Sequence, residues 1–342
     1  MHNADRAILR IGTGIALAAG LCYGLALPMP HLGLIMAWVV LCRPGDPLCL
    51  QKGLVGGLLL MVVMMGGVLL VPLLTHYAPA AVLLVTLLLY LLMLQGMAGK
   101  GVASMLLIMA ITVIPVAGLI EQRLAIAIAQ MMAVGILVGA LVNALAHRLF
   151  PPIPATESAP RPRPASPEHP ERLALRAVII VLPVWLLALG NPAFYIPAVM
   201  KTVALGQQSS ALSAKAAGKE LLGSTLMGAL LAFALWMGLG IWPSLLMLML
   251  MLALMTLWLA RRLLGLTPTR FPPSFWSNAW ITAIILFGPA IEDSAAGKDV
   301  WLAAAMRCGL YLLVAGYGWC CIWLFEQRWP VGRPLAEQPV GE

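Results

Sequence analysis

The sequence carries little charge. Only 10% of its 342 residues are Asp, Glu, Lys or Arg, whereas 62% are hydrophobic. A soluble domain usually has about 25% charged residues, and repeated long apolar runs are typical of proteins that cross a bilayer several times. The net charge of +8 must therefore be read loop by loop against the membrane, and it gives no support for nucleic-acid binding.

Patterns that carry catalysis or hold a metal are also missing. The six cysteines lie mostly in or beside apolar segments and show neither paired metal-ligand spacing nor a disulfide framework. The sequence contains no P-loop, and it has no HExxH or GxSxG motif of the kind that membrane hydrolases use. We therefore expect no metal, no cofactor and no enzymatic activity.

Carboxylates are scarce within the apolar runs. Glu220 and Glu326 fall near the ends of such runs, and Glu292 and Asp293 form an isolated pair beyond another. A pathway for cations needs carboxylates that point inward, so this distribution argues against one. An interior whose only expected charges are positive favours an anion.

Nine apolar runs are long enough to cross a bilayer, which takes roughly 20 residues, and a tenth, Ala80–Leu94, is shorter but acceptable. Two further segments, His31–Cys42 and Phe194–Gly206, are short and follow proline-containing turns. We expect an all-α polytopic membrane protein with about twelve transmembrane segments. It divides into a first membrane half (1–150), a Pro-rich linker (151–172), a second membrane half (173–329) and a tail (330–342).

The two halves have similar layouts. In each, an Arg-led span is followed by a proline turn, a short second segment, and a Lys- and Gly-containing helix ("KGLVGGLLLM" and "GKELLGSTLMG"). The fifth segment is expected to end at Pro115 in one half and at Pro289 in the other. Six crossings is an even number, so the layout predicts two parallel repeats whose short segments face each other near an axis along the membrane normal.

Basic residues set the orientation. With twelve crossings and a cytoplasmic N-terminus, Arg123 and Lys298 fall outside, and Lys201 and Arg307 lie within segments. Seventeen basic residues fall inside, at positions 6, 10, 43, 52, 100, 148, 161, 163, 172, 176, 215, 219, 261, 262, 270, 328 and 333. This bias predicts that both termini and the linker are cytoplasmic.

Lys201 is the first candidate site residue. An ammonium at the bilayer centre costs roughly 2.5 to 3.5 kcal/mol, and the matching position in the first half is Ala37, so the fold does not demand the charge. Lys201 and its neighbour Thr202 could bind an anion at an interrupted segment. The alternative is that Lys201, five residues before Gly206, snorkels to the headgroups.

Arg307 is the second cation within a segment, and its counterpart in the first half is Gln130. An arginine can hold a carboxylate through two parallel hydrogen bonds, although it could also reach the outer interface or a backbone carbonyl. Asn278 and Trp280 lie on the eleventh segment near Thr282, on a face that could stack an aromatic ring. Interface anchoring is the alternative explanation for such a tryptophan.

The chain resembles the fusaric-acid-resistance type of inner-membrane protein, which includes aromatic carboxylic acid exporters. The resemblance rests on the Arg-led first span, the short segment "HLGLIMAWVVLCRP", the pattern of "KGLVGGLLLM", and the recurrence of this module after a linker. It implies export of weak organic acids, together with a periplasmic membrane-fusion adaptor. Many members have a substantial cytoplasmic region between the halves, whereas this linker has 22 residues.

We therefore expect a multi-pass exporter of anionic, aromatic organic acids in a bacterial inner membrane, assembled as a homo-oligomer. Two alternatives belong to other classes. One is a membrane subunit that anchors or assembles a partner complex without transporting anything. The other is a membrane-embedded enzyme that acts on lipid-linked substrates, which would need convergent polar residues that the sequence does not display.

The orientation can be tested by cysteine labelling. Single cysteines at Ser158 and Ser294, in a background without native cysteines, should differ in their reaction with a membrane-impermeant reagent added to intact cells. Position 158 should be protected because the linker is cytoplasmic, and position 294 should react. The opposite pattern would show that the topology is inverted.

Overall fold

The computed structural model describes residues 3–43, 50–97, 101–151, 169–209, 214–297 and 299–329. Within these ranges the chain folds into helices without strands. The helices are α1 (Asn3–Gly24), α2 (Pro30–Leu41), α3 (Leu50–Val68), α4 (Leu70–His76), α5 (Ala78–Gln95), α6 (Gly101–Ile120), α7 (Gln122–Leu149), α8 (Pro170–Gly190), α9 (Pro192–Ser209), α10 (Ala214–Ile241), α11 (Leu245–Leu263), α12 (Pro273–Ala295) and α13 (Val300–Arg328).

Ten of these units are long and apolar enough to cross a membrane, with α3 and α4 counted together as one span over Leu50–His76. The all-α, multi-pass expectation is confirmed at this level. The two units outside this set are α2, with 12 residues, and α9, with 18. They correspond to the two short segments expected from the sequence, and α9 extends beyond Phe194–Gly206 at both ends. Most of the linker and the tail lie outside the described residues.

Both short helices lie inside the bundle. Eleven of the twelve residues of α2 are buried, and α9 buries Ala198, Val199, Lys201, Thr202 and Val203. However, α2 packs mainly against α1, α7 and α12, and α9 packs mainly against α6, α8 and α13. The expectation that the two helices face each other directly is therefore wrong. Each instead packs on the fifth segment of the opposite half, α2 on α12 and α9 on α6. Trp38 of α2 lies in the first of these interfaces, where it donates a hydrogen bond to Ser277 of α12.

The packing pairs of the first half have counterparts in the second. In both, the first segment packs on the second, the second on the sixth, and the third on the fifth and sixth. Across the halves, α1 packs on α11 and α5 packs on α8, while α2 packs on α12 and α6 packs on α9. The helices that surround the middle of the protein are thus α2, α6, α9 and α12.

The outer surface of the bundle is apolar. Large side chains on α3, α5, α10 and α11 are exposed, as Leu59, Leu83, Leu230 and Leu254 illustrate. Lipid tails are as apolar as these side chains, so such a surface is stable in a bilayer and would be unstable in water. The polar residues are accordingly concentrated between the helices.

Pro115 and Pro289 do not end their helices. Pro115 lies within α6, which continues to Ile120, and Pro289 lies within α12, which continues to Ala295. The expectation from the sequence was therefore wrong, because a proline inside a membrane helix is tolerated where neighbouring helices support the turn. As a consequence, Glu292 and Asp293 belong to α12 rather than to a loop.

Close packing between α3 and α6 depends on Gly67. A Cβ atom at this position would lie 2.0 Å from the backbone oxygen of Ala110, whereas a Cβ at the adjacent Gly66 would meet nothing within 4 Å. A backbone atom cannot rotate away as a side chain can, so the two helices would have to separate.

We predict opposite effects for two adjacent substitutions. Gly66→Ala should preserve or slightly raise the melting temperature, because alanine favours helix by about 1 kcal/mol over glycine. Gly67→Ala should lower it, because overpacking of this kind costs roughly 1 to 3 kcal/mol. Thermal unfolding of the purified protein in one detergent measures both, and equal melting temperatures for the two variants would refute the close contact.

Candidate functional site

Four ionisable side chains from four different helices meet α12 along its length. Glu220 of α10, Lys201 of α9, His31 of α2 and Arg307 of α13 are bound by Ser274, Thr282, Glu292 and Asp293 respectively. Because α12 is among the most buried candidate spans, these contacts lie largely within the protein. We call these residues the α12 polar contacts.

Lys201 lies near the middle of this series. Its side chain is buried, with 3% of the residue exposed, and Nζ donates a 2.7 Å hydrogen bond to Oγ1 of Thr282. Thr282 is also buried, and Gly228 of α10 packs against it so closely that a Cβ there would lie 2.6 Å from the Thr282 Cβ. Among the residues that the structure describes, Thr282 is the hydrogen-bond partner of Nζ. An ammonium group has three N–H donors, so one acceptor leaves two of them unanswered.

A seam of small and polar residues runs along the interface of α10 and α12. Ser274 donates a hydrogen bond to Glu220, and Gly228 packs on Thr282, so residues 54 positions apart face each other at both levels. Ser224 and Asn278 are also 54 positions apart, and they lie four residues from each of these two contacts. A helix repeats its face about every four residues, so by the same register Ser224 and Asn278 face each other. Glu220, Ser224 and Asn278 are buried, whereas Ser274 is exposed. The seam thus leads from an exposed hydroxyl to the Lys201 contact.

On another face of α12, Trp280 stacks on Trp38 of α2. The ring centroids are 4.4 Å apart and the planes differ by 9°. Both indoles are also hydrogen-bonded, Trp38 to Ser277 at 3.1 Å and Trp280 to Thr256 at 3.0 Å. Trp280 is fully buried, so it is not an interface anchor. The pair joins the first half to the second at about the depth of Lys201.

The C-terminal end of α12 carries two carboxylates that contact basic side chains of other helices. Nδ1 of His31 lies 3.1 Å from Oε1 of Glu292, and Arg307 donates a 2.6 Å hydrogen bond to Oδ2 of Asp293. Glu292 and Asp293 are therefore not an isolated pair, and Arg307 does not lack a carboxylate. The sequence-based expectation failed because Pro289 does not end α12, so its last turns bring both carboxylates against neighbouring helices. The pairing of Arg307 is a structural explanation for its burial.

The predicted site residues do not form one cluster. Thr282 and Asp293 are eleven residues apart on α12, which separates the Lys201 and Arg307 contacts by about 16 Å along the helix. Gln130 is exposed on α7, away from both. Thr202 is buried beside Lys201, but its hydroxyl donates to the Ala198 carbonyl of its own helix. Among the predicted site residues, the structure thus places Lys201 near Asn278, because its partner Thr282 is one helical turn from Asn278 on α12.

Several polar residues of the interior were missed from the sequence. Glu220 was placed near a helix end, yet it is only 3% exposed. Arg176 was counted with the cytoplasmic loops, yet it is only 1% exposed. Glu326 of α13 lies within electrostatic range of Arg176. The four-residue spacing of Ser274, Asn278 and Thr282, matched by Glu220, Ser224 and Gly228, was the signal that could have identified the seam.

The arrangement suits ionic and hydrogen-bonding recognition. Within the described residues, no group of three or more His, Cys, Asp or Glu side chains could hold a metal ion. A buried amine beside a hydroxyl can bind an anion. The attraction between an ammonium and an anion is strongest where water is excluded. This chemistry is available at Lys201.

Comparison with known proteins identifies no family. No protein-family model matches the chain, and no curated protein or solved structure matches it. The resemblance to fusaric-acid-resistance proteins therefore stays a prediction.

The Arg307–Asp293 pair yields a stability prediction. Asp293→Asn should lower the free energy of unfolding by about 1 to 3 kcal/mol, because it leaves a largely buried guanidinium without its counter-charge. The double variant Asp293→Leu with Arg307→Met should recover most of the loss, since no charge then remains. Melting temperatures in detergent measure this, with Glu121→Gln as an exposed control. Additive effects of Asp293→Leu and Arg307→Met, measured singly and together, would contradict the pairing.

Proposed function

We propose that the protein exports anionic, aromatic organic acids across a bacterial inner membrane. The observation that carries this proposal is Lys201, a buried amine whose described hydrogen-bond partner is one neutral hydroxyl. Burying an ammonium without an anion is costly, so the binding of an anion would stabilise a protonated Lys201. The absence of snorkelling supports the same conclusion, because Nζ is directed to Thr282 inside the bundle.

The proposed architecture is two parallel six-segment repeats, with both termini and the linker in the cytoplasm. The matching helix pairs of the two halves support it, as does the position of α2 and α9 beside the fifth segments. Lys201 would then lie between the repeats, where many transporters bind substrate. A homo-oligomer and a periplasmic membrane-fusion adaptor complete the proposal by analogy with the family that the sequence resembles.

Arg307 is proposed as a second cation on the substrate route. Its Nη1 atom and the hydroxyl of Tyr311, one turn along α13, are buried without hydrogen-bond partners among the described residues. These donors could contact a carboxylate that passes the C-terminal end of α12. Asp293 neutralises most of the charge, so this contact is weaker than the one at Lys201.

The two alternatives make different demands on Lys201. A membrane anchor would tolerate any apolar replacement that preserves folding, because its function resides in a partner. An enzyme acting on lipid-linked substrates needs a nucleophile that its substrate can reach, whereas the hydroxyl beside Lys201 belongs to Thr282, which is 1% exposed and closely packed against Gly228. Export is therefore the function that the described contacts support best.

The decisive experiment replaces Lys201 with methionine, which keeps the apolar stem and removes the amine. Cells lacking the gene, complemented with each variant, are grown against a panel of aromatic carboxylic acids. Lys201→Met should lower the inhibitory concentration of an exported acid to that of cells without the protein. The loss of one charge-assisted hydrogen bond weakens anion binding about tenfold or more.

Lys219→Met is the matched control, because Lys219 is an exposed lysine on α10. It should retain resistance, and both variants should be present in the membrane in wild-type amount. Full resistance in the Lys201→Met variant would exclude an anion site at this residue. A complete lack of protection by the wild-type gene against every acid would argue for the anchor instead.

A further inference from the structure

We infer that Lys201 takes up a proton when the substrate anion binds, so that the anion and one proton occupy the site together, with the proton on the Lys201 amine. The inference rests on the proposed function, and it identifies what accompanies the anion. It follows from the contacts that the protein itself makes with Nζ.

The contacts of Lys201 within the protein do not suit an ammonium. The described partner of Nζ is Oγ1 of Thr282, at 2.7 Å. A neutral amine has two N–H donors and a lone pair, and with one hydroxyl it forms one hydrogen bond, either as donor or as acceptor. An ammonium in the same place would leave two donors unanswered and a full charge without a counter-charge, in a residue of which 3% is exposed, which is costly. The protein's own contacts therefore favour the neutral amine.

The neighbouring carboxylates already contact other side chains. Glu220 accepts from Ser274, Glu292 contacts His31, Asp293 pairs with Arg307, and Glu326 lies within range of Arg176. On α8, α10, α12 and α13, the Asp, Glu, Lys, Arg and His side chains that are described and not exposed are Arg176, Glu220, Asp293, Arg307 and Glu326. Helix α13 also carries four weaker acids that are not exposed, Cys308, Tyr311, Tyr317 and Cys321. Helix α6 contributes none. A described carboxylate does not lie within salt-bridge distance of Nζ.

Binding of a carboxylate changes this balance. The anion brings a negative charge and two strong acceptors to Nζ, and the ammonium form then gains ionic hydrogen bonds. One proton from solvent joins the amine lone pair, and no bond of the substrate breaks. The site is then close to neutral both before and after the anion binds, so neither form leaves an uncompensated charge in the membrane interior. The polar side chains from Ser274 through Asn278 extend from the exposed end of α12 toward Lys201.

The test measures proton uptake when an anion binds. Wild-type protein in nanodiscs, in weakly buffered solution at about pH 8 with an indicator dye, is mixed with saturating sodium benzoate, which is ionised at this pH. The expected uptake approaches about one proton per chain, because the amine becomes an ammonium. Equilibrium dialysis with labelled benzoate measures binding separately.

Lys201→Arg is the matched variant, because a guanidinium stays protonated with or without a partner. In this variant the number of protons taken up per benzoate bound, with binding measured by the same dialysis, should fall to zero. Binding by the wild type without proton uptake would overturn this inference and leave the proposed function standing. Equal uptake by the Lys201→Arg variant would also overturn it, because another group would then be the acceptor. Failure of the wild type to bind any acid of the growth panel would overturn the proposed function, and this inference with it.

Discussion

A bilayer interior offers polar side chains no partners, so each one that enters it must be satisfied by the protein. In this chain a single helix meets that requirement for several side chains at once. Helix α12 contacts ionisable side chains from α2, α9, α10 and α13, and it binds each through a different residue. The polar groups of α12 therefore decide where the surrounding helices lie.

This concentration has a mechanical consequence. The contacts of α12 with α10 and α13 lie within the second half, whereas those with His31 and Trp38 reach the first half. Relative movement of the halves must therefore alter the His31–Glu292 contact and the Trp38–Trp280 stack, while Glu220 and Arg307 can move with α12. Lys201 contacts α12 from α9, which itself packs on α6 of the first half. A change in the packing of the two halves would therefore alter the surroundings of Lys201.

The sequence predicted the membrane class, the short second segments and the presence of a cation at Lys201, because hydropathy, proline and charge are visible in a linear chain. It did not predict the partners of these residues. Thr282 is a common hydroxyl residue, and only the packing of α9 beside α12 makes it the acceptor for Lys201. Asp293 was misplaced for a simpler reason, since Pro289 was taken as a helix end and α12 continues through it. Partner identity depends on helix orientation, which the hydropathy pattern does not specify.

Lys201 and Arg307 show why a buried charge is not by itself evidence of a binding site. Both are cations within apolar segments, and the sequence treats them alike. Arg307 has a carboxylate at 2.6 Å, which accounts for its position without any ligand. Lys201 has a hydroxyl, which can hold an amine but cannot neutralise an ammonium. The argument for an anion therefore depends on the missing counter-charge at Lys201, and it is stronger there because the same protein supplies one to Arg307.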